Sequence, residues 1–172
     1  MRDYIESGMD FSPLFENDNS FYVEKSHFLH KLGDGIKSVE FVSLMPGKRL
    51  YFVEAKSSAP SPENKGDFGY YCNELLEKAQ HSLDLIASKE LGVIRDSENE
   101  FPYCFREKFS DYRLYFLLVI RKHKEEWCSD VLDGLQRKLI ALRKIWKIEV
   151  VVWTAEKAQR KRFISSYPLD RD

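Results

Sequence analysis

Two glutamates and a lysine are the residues of this chain best placed to do chemistry. The segment 51–56, Tyr-Phe-Val-Glu-Ala-Lys, is apolar apart from Glu54 and Lys56. Residues two apart in a strand share a face, so these two charges point the same way. The segment 36–44 is rich in β-branched and aromatic residues and carries Glu40. Between the two lies the turn signal Met45-Pro46-Gly47-Lys48, and together they read as a β-hairpin. If Pro46-Gly47-Lys48 is a three-residue loop, Met45 pairs with Arg49 and Glu40 lies opposite Glu54. A two-residue Pro46-Gly47 turn pairs Glu40 with Val53 instead and separates the carboxylates; both registers are open to this sequence. In the first, like charges face each other, which destabilises a hairpin. A divalent cation between them removes that cost. Mg²⁺ takes one or two carboxylates together with waters and phosphate oxygens. Such a site activates a water or neutralises charge building on a phosphodiester. Lys56 adds a fixed positive charge beside it. The competing reading of a Glu-x-Lys strand is a solvated charged face.

The elements that must hold these residues follow from the pattern. Residues 1–20 are polar and irregular and read as an N-terminal arm with one short helix around Tyr4. Residues 21–32 fit either a short helix or a strand at 21–23 followed by one. After the hairpin, 58–67 is a polar, Pro-containing loop. Phe68, Tyr71, Leu75, Ala79, Ser82, Leu83 and Ile86 then form one stripe of an amphipathic helix. Glu74–Lys78 and Glu77–His81 sit four apart and read as its outer face. Residues 92–110 look like a long loop. The apolar run 113–120 is a strand buried on both faces. A second amphipathic helix is expected over 125–146, a last strand over 148–154, and a basic tail after it. This order predicts one α/β domain over 21–172, a mixed central sheet flanked by helices.

Composition sets limits on partners. A chain of 172 residues that is 43% hydrophobic and 32% charged is globular rather than disordered. Three cysteines without CxxC spacing read as reduced thiols of a cytoplasmic protein, not as a disulfide framework or zinc site. The N-terminus lacks an apolar signal core, and no apolar run spans a bilayer, so no membrane partner is expected. Residues 1–100 hold 11 Lys/Arg against 18 Asp/Glu, and 101–172 hold 16 against 10. An acidic half suits a metal and a basic half a polyanion, unless folding interleaves them. There is no Gly-rich phosphate loop and no His pair at ligand spacing.

With Glu40, then Glu54-Ala55-Lys56, then helix, strand and helix, the chain resembles the PD-(D/E)xK nuclease superfamily over roughly residues 20–154. The resemblance implies an αβββαβ core, Mg²⁺ or Mn²⁺ as cofactor and DNA as substrate. It places Glu40 as the first acid and Glu54-x-Lys56 as the second motif, with Glu40 and Glu54 the metal ligands. It implies a further acid from the first helix, for which Glu24 is the candidate. It also implies a polar residue on the helix after Glu-x-Lys, for which Lys78 and Gln80 are candidates. Here the first acid is Glu where the family usually has Asp, and no Pro precedes it. The expectation is a Mg²⁺-dependent deoxyribonuclease. Its alternative is a non-catalytic protein of the same fold that binds nucleic acid or protein; a homodimer is left open.

Overall fold

The computed structural model describes residues 4–106 and 108–168. Its centre is a five-stranded sheet in the spatial order β3 (Ser20–Tyr22), β4 (Phe41–Met45), β5 (Arg49–Lys56), β6 (Arg113–Ile120), β7 (Glu149–Thr154). The first three strands pair antiparallel and the last three parallel, so the sheet is mixed. The parallel pairings need crossovers. The first is the 26-residue helix α2 (Lys65–Glu90) and the loop after it. The second is α3 (Cys128–Lys138) with α4 (Ile140–Trp146). A one-turn helix α1 (His27–His30) follows β3, and α5 (Ala155–Arg160) follows β7.

Side-chain alternation divides the core into two layers. Leu50 and Phe52 of β5, with Leu114, Phe116, Leu118 and Ile120 of β6, face α2 and α3. Tyr51, Val53 and Ala55 face the other way, with Leu117 and Val119. Buried on both faces, β6 is apolar from Leu114 to Ile120, as a parallel central strand must be. Glu54 and Lys56 continue the α2-facing series of β5.

The β4–β5 loop settles the register. Met45 pairs with Arg49 around Pro46-Gly47-Lys48, in which Gly47 and Lys48 have φ of 78° and 56°. The loop therefore has three residues. The strand expected over 36–44 begins only at Phe41, because the backbone before it bonds to α2. Lys37 N–H donates to His81 Nδ1 at 3.0 Å and Val39 N–H to Ser82 Oγ at 2.9 Å. Glu40 thus sits at the ladder's end, one residue before Phe41 pairs with Val53. Segment 21–32 is strand, turn and helix. Ser26 Oγ accepts from Leu29 N–H, and the Glu100 carboxylate accepts from the N–H groups of His27 and Phe28, capping α1.

Three sequence expectations change. The helix expected around Tyr4 is instead a hairpin of β1 (Ile5–Glu6) and β2 (Met9–Asp10). Ser7 and Gly8 both have positive φ, the two-residue turn whose twist matches antiparallel strands. Met9, Phe11 and Leu14, all essentially without solvent exposure, lie in the second core layer. The helix expected over 125–146 breaks at Leu139 (φ −86°, ψ 17°), and Arg143 Nη1 donates to the Gln136 carbonyl that the break leaves open. The basic tail begins as α5, N-capped by Thr154 Oγ1, which accepts from Lys157 N–H. No helix among the described residues is long and apolar enough to cross a membrane.

Candidate functional site

The three-residue loop and the alternation of β5 bring Glu40, Glu54 and Lys56 to one side of the sheet, at the end of β5 away from that loop. Glu54 is fully buried and Glu40 is 6% exposed. Leu118 of β6 pairs in register with Glu54, and α2 covers both. Lys78 Nζ donates to Glu54 Oε1 at 2.8 Å and lies 3.9 Å from Glu40 Oε1. Lys56 Nζ stands 3.3 Å from Glu54 Oε1 and donates to Glu74 Oε1 at 2.7 Å. The alternating acids and lysines make a network between β5 and α2.

Glu54 Oε2 and Tyr71 Oη are buried here without a hydrogen-bond partner, while the Glu40 carboxyl is shared with that of Glu24. A buried acceptor left unmade costs about 1–3 kcal/mol, more when charged.

Glu24 lies in the turn after β3. Its carboxylate, that of Glu40 and that of Glu6 from β1 come within 4.8 Å of one another. Val23 N–H donates to the Glu40 carbonyl at 2.9 Å, which ties this turn to the start of β4. Lys25 Nζ bonds Glu6 Oε1 at 2.8 Å. The hairpin tip rests on β5 through Ser7 Oγ, which donates to the Ala55 carbonyl at 3.1 Å. Gly8 packs under Arg121, whose guanidinium occupies the space a Cβ would take.

Titration follows from this packing. Burial, a hydrogen bond with Glu24 and the charges of Glu54 and Glu24 push the Glu40 carboxyl up to about 10, against the opposing pull of Lys78. Burial also pushes Glu54 up, while Lys78 and Lys56 pull it down. Burial works against the charge of Lys78, but Glu54 outweighs it and holds the ammonium above the ordinary lysine value. A raised acid and a raised base point opposite ways for this pair; the 2.8 Å contact with a second lysine at 3.3 Å favours the ion pair. The hydrogen bond from Lys56 holds Glu74 below the usual carboxylate range.

All four sequence candidates, Glu24, Glu40, Glu54 and Lys56, therefore lie in one region, and of the two helix candidates only Lys78 does, Gln80 being exposed. Glu74 and Lys78 face the strands rather than solvent, contrary to the expectation for α2. Their signal was positional: Lys78 falls three after Leu75 and four before Ser82, on the buried stripe itself. Glu6 had no signal, because nothing in a polar N-terminal segment says where its hairpin docks. The basic residues divide. Arg121 and Lys122 follow β6 beside the acids, with Lys122 N–H donating to the Ser57 carbonyl. Lys161 and Arg162 instead line a cavity of about 1050 Å³ with Pro46, Gly47 and Lys48, at the opposite end of β5, roughly 20 Å away by strand rise. Lys157 and Arg160 pair with Glu125.

A divalent cation fits this donor set chemically. The available ligands are carboxylate oxygens, which suit Mg²⁺ and Mn²⁺ rather than softer metals. Glu54 Oε2 is buried beside them without a hydrogen-bond partner. Searches with this chain return no matching family model, no matching curated protein and no matching solved structure.

Proposed function

We propose that this chain is a Mg²⁺- or Mn²⁺-dependent deoxyribonuclease of the PD-(D/E)xK kind, acting in the cytoplasm. The observation that carries the reading is the pair of buried glutamates on one side of the sheet, Glu54 within β5 and Glu40 just before the β4–β5 ladder begins, beside Lys56. A bound cation supplies Lewis acidity at a phosphodiester oxygen and lowers the pKa of a water. The chain's own part is to position. Glu40 and Glu24 present oxygen donors at the mouth of the site. Glu54 fixes the ammonium of Lys56 at 3.3 Å, and Glu74 holds it from the other side at 2.7 Å. A lysine clamped in this way keeps one orientation and costs no reorganisation as charge develops on a phosphate. Arg121 and Lys122, at the same end of the sheet, are the cations nearest a bound phosphate backbone. Every acid of the site comes from one chain, so the reading requires no homodimer.

A second reading has its own observation. Lys78 Nζ occupies the space between Glu54 and Glu40, 2.8 and 3.9 Å from their oxygens, and closes the network as a cation would. On that reading the chain is a non-catalytic binding protein of the same fold. Plasmid cleavage with Mg²⁺ or Mn²⁺ decides between them. The nuclease reading expects nicking by the wild type that is lost in Glu54→Ala and in Lys56→Ala. Absence of metal-dependent cleavage, with both variants still folded, supports the second.

A further inference from the structure

We infer that the outer edge of β3 is a docking groove for a short, extended, basic peptide segment of a partner protein, bound as an added strand. β3 is an outermost strand of the sheet, with β4 as its one neighbour. Leu44 N–H donates to the Asn19 carbonyl and Val23 N–H to the Glu40 carbonyl. By the alternation of an antiparallel ladder, Asn19, Phe21 and Val23 therefore turn their backbone groups toward β4. Ser20 and Tyr22, between them, turn their N–H and C=O groups outward. The side chains agree with this register. Ser20 Oγ and Ser43 Oγ meet at 2.6 Å, as close as facing residues come when they exchange no backbone bonds. Among the described residues no hydrogen bond meets the four outward groups. Such an edge is a template for another strand.

A cavity of about 500 Å³ runs along Ser20, Phe21 and Tyr22. Tyr4 and Phe15, stacked at 3.8 Å, line it from the second core layer. Segment 98–102 lines it from the first, fastened by Phe101 stacking on Phe21 at 4.0 Å. Alternate side chains of an added strand thus meet an aromatic wall on either face of the sheet. Tyr22 lines the same cavity, and its hydroxyl is shut from solvent without a hydrogen-bond partner. Three residues of strand span about 10 Å, so the occupant is short. The lining residues set its charge. They include Asp18, Glu98 and Glu100 against Lys25, which is itself bonded to Glu6. That rim favours lysine or arginine on the incoming strand. It opposes a second copy of this chain, because pairing β3 with β3 sets one acidic rim against another.

Amide hydrogen exchange of the full chain, read by NMR with the capped hexapeptide (Lys-Val)₃ as probe, tests this. The Ser20 and Tyr22 N–H groups should exchange freely in the chain alone and slow by about tenfold or more with peptide. Those of Phe21 and Val23, already bonded to β4, should be slow throughout. Asp18→Asn and Glu98→Gln should each weaken binding by about two- to fivefold, the scale of an exposed charge pair, with melts near the wild type. Asn also tolerates the positive φ of residue 18. The same peptide N-methylated at every residue keeps its charge but has no amide donors, and should bind at least about tenfold more weakly. The capped (Glu-Val)₃ peptide should not bind. Slow exchange at Ser20 and Tyr22 in the peptide-free monomer overturns the inference, because the chain then covers its own edge. Slow exchange that grows with protein concentration overturns it in favour of a second copy. Equal binding of the methylated or the Glu peptide, binding that leaves both amides unprotected, or no binding at millimolar peptide each overturns it too. The groove stands apart from Glu54 and Lys56, so the inference holds whether or not the chain cleaves DNA.

Discussion

Glu54 is where charge and burial meet most sharply. Facing carboxylates alone would repel, and neutralising one would stabilise the hairpin. Lys78 reverses that expectation by entering between them. Breaking a buried pair by removing one partner typically costs about 3–5 kcal/mol, since the other charge stays buried. Lys56 remains near Lys78 and would then repel it. Glu54→Gln should therefore destabilise the metal-free protein, by about 3 kcal/mol in urea denaturation; a more stable variant would mean that Lys78 does not neutralise this site. Glu40 predicts the opposite sign. Its carboxyl titrates near 10 in the folded chain against 4.5 when free. Between those values the folded state holds a proton that the unfolded state has lost. Stability contributed by this group therefore falls as pH rises from about 4.5, and levels off above about 10. Glu40→Gln carries no such titration. Urea midpoints at about pH 5 and pH 9 should converge with wild type at the lower value and favour the variant at the higher. Equal slopes in both proteins would show that Glu40 is ionised in the fold.

At the scale of elements, the β4–β5 hairpin and α2 carry the site, and both were largely legible. Alternation in 51–56 placed Glu54 and Lys56 on one face, and the stripe from Phe68 to Ile86 gave α2 its buried side. The register was not legible, because Pro46-Gly47-Lys48 supports two loops. The pairing of Met45 with Arg49, with Gly47 and Lys48 at positive φ, shows which one forms. Nor was the early end of β4. It depends on Ser82 and His81, more than forty residues on, taking the hydrogen bonds that a strand partner would have made. That competition yields a prediction for the whole segment. In Ser82→Ala the N–H of fully buried Val39 loses its acceptor, a cost of about 1–3 kcal/mol. The chain next to Glu40 is freed with it. Thermal melts should show the loss, and Mn²⁺ binding should weaken although no carboxylate has changed. Wild-type values for both would mean that segment 36–40 is held by its other contacts. The break at Leu139 is a third feature beyond reach from sequence, since the apolar spacing runs through it without interruption.

For the molecule as a whole, the N-terminal residues matter more than their polarity suggests. Met9, Phe11 and Leu14 complete the sheet face opposite α2. Burying side chains of this kind contributes about 1.5–3 kcal/mol each, so three of them match much of the 5–15 kcal/mol that holds a typical domain. A chain lacking residues 1–15 should consequently lose its cooperative melt and expose apolar surface to a hydrophobic dye; an unchanged melt would show that these residues decorate the core rather than complete it. The polar letters around them concealed this role, because three apolar residues spread over six positions form neither a strand nor a helix pattern. The charge asymmetry is also resolved only in part. Lys161 and Arg162 fold back to the far end of the hairpin, while Arg121 and Lys122 stay with the acids.

The parallel pairing of β5 with β6 also has a consequence in time. Glu6, Glu24, Glu40, Glu54, Lys56, Glu74 and Lys78 all belong to the part of the chain that is synthesised first. The wall that shuts Glu54 from water, Leu118, lies 64 residues beyond it. While the ribosome is still making that stretch, the acids are hydrated and behave as ordinary carboxylates. Their unusual chemistry begins when β6 slots in beside β5. A ribosome-bound chain that has not yet emerged past residue 113 thus carries these residues but not the low-dielectric surroundings that shift their titration.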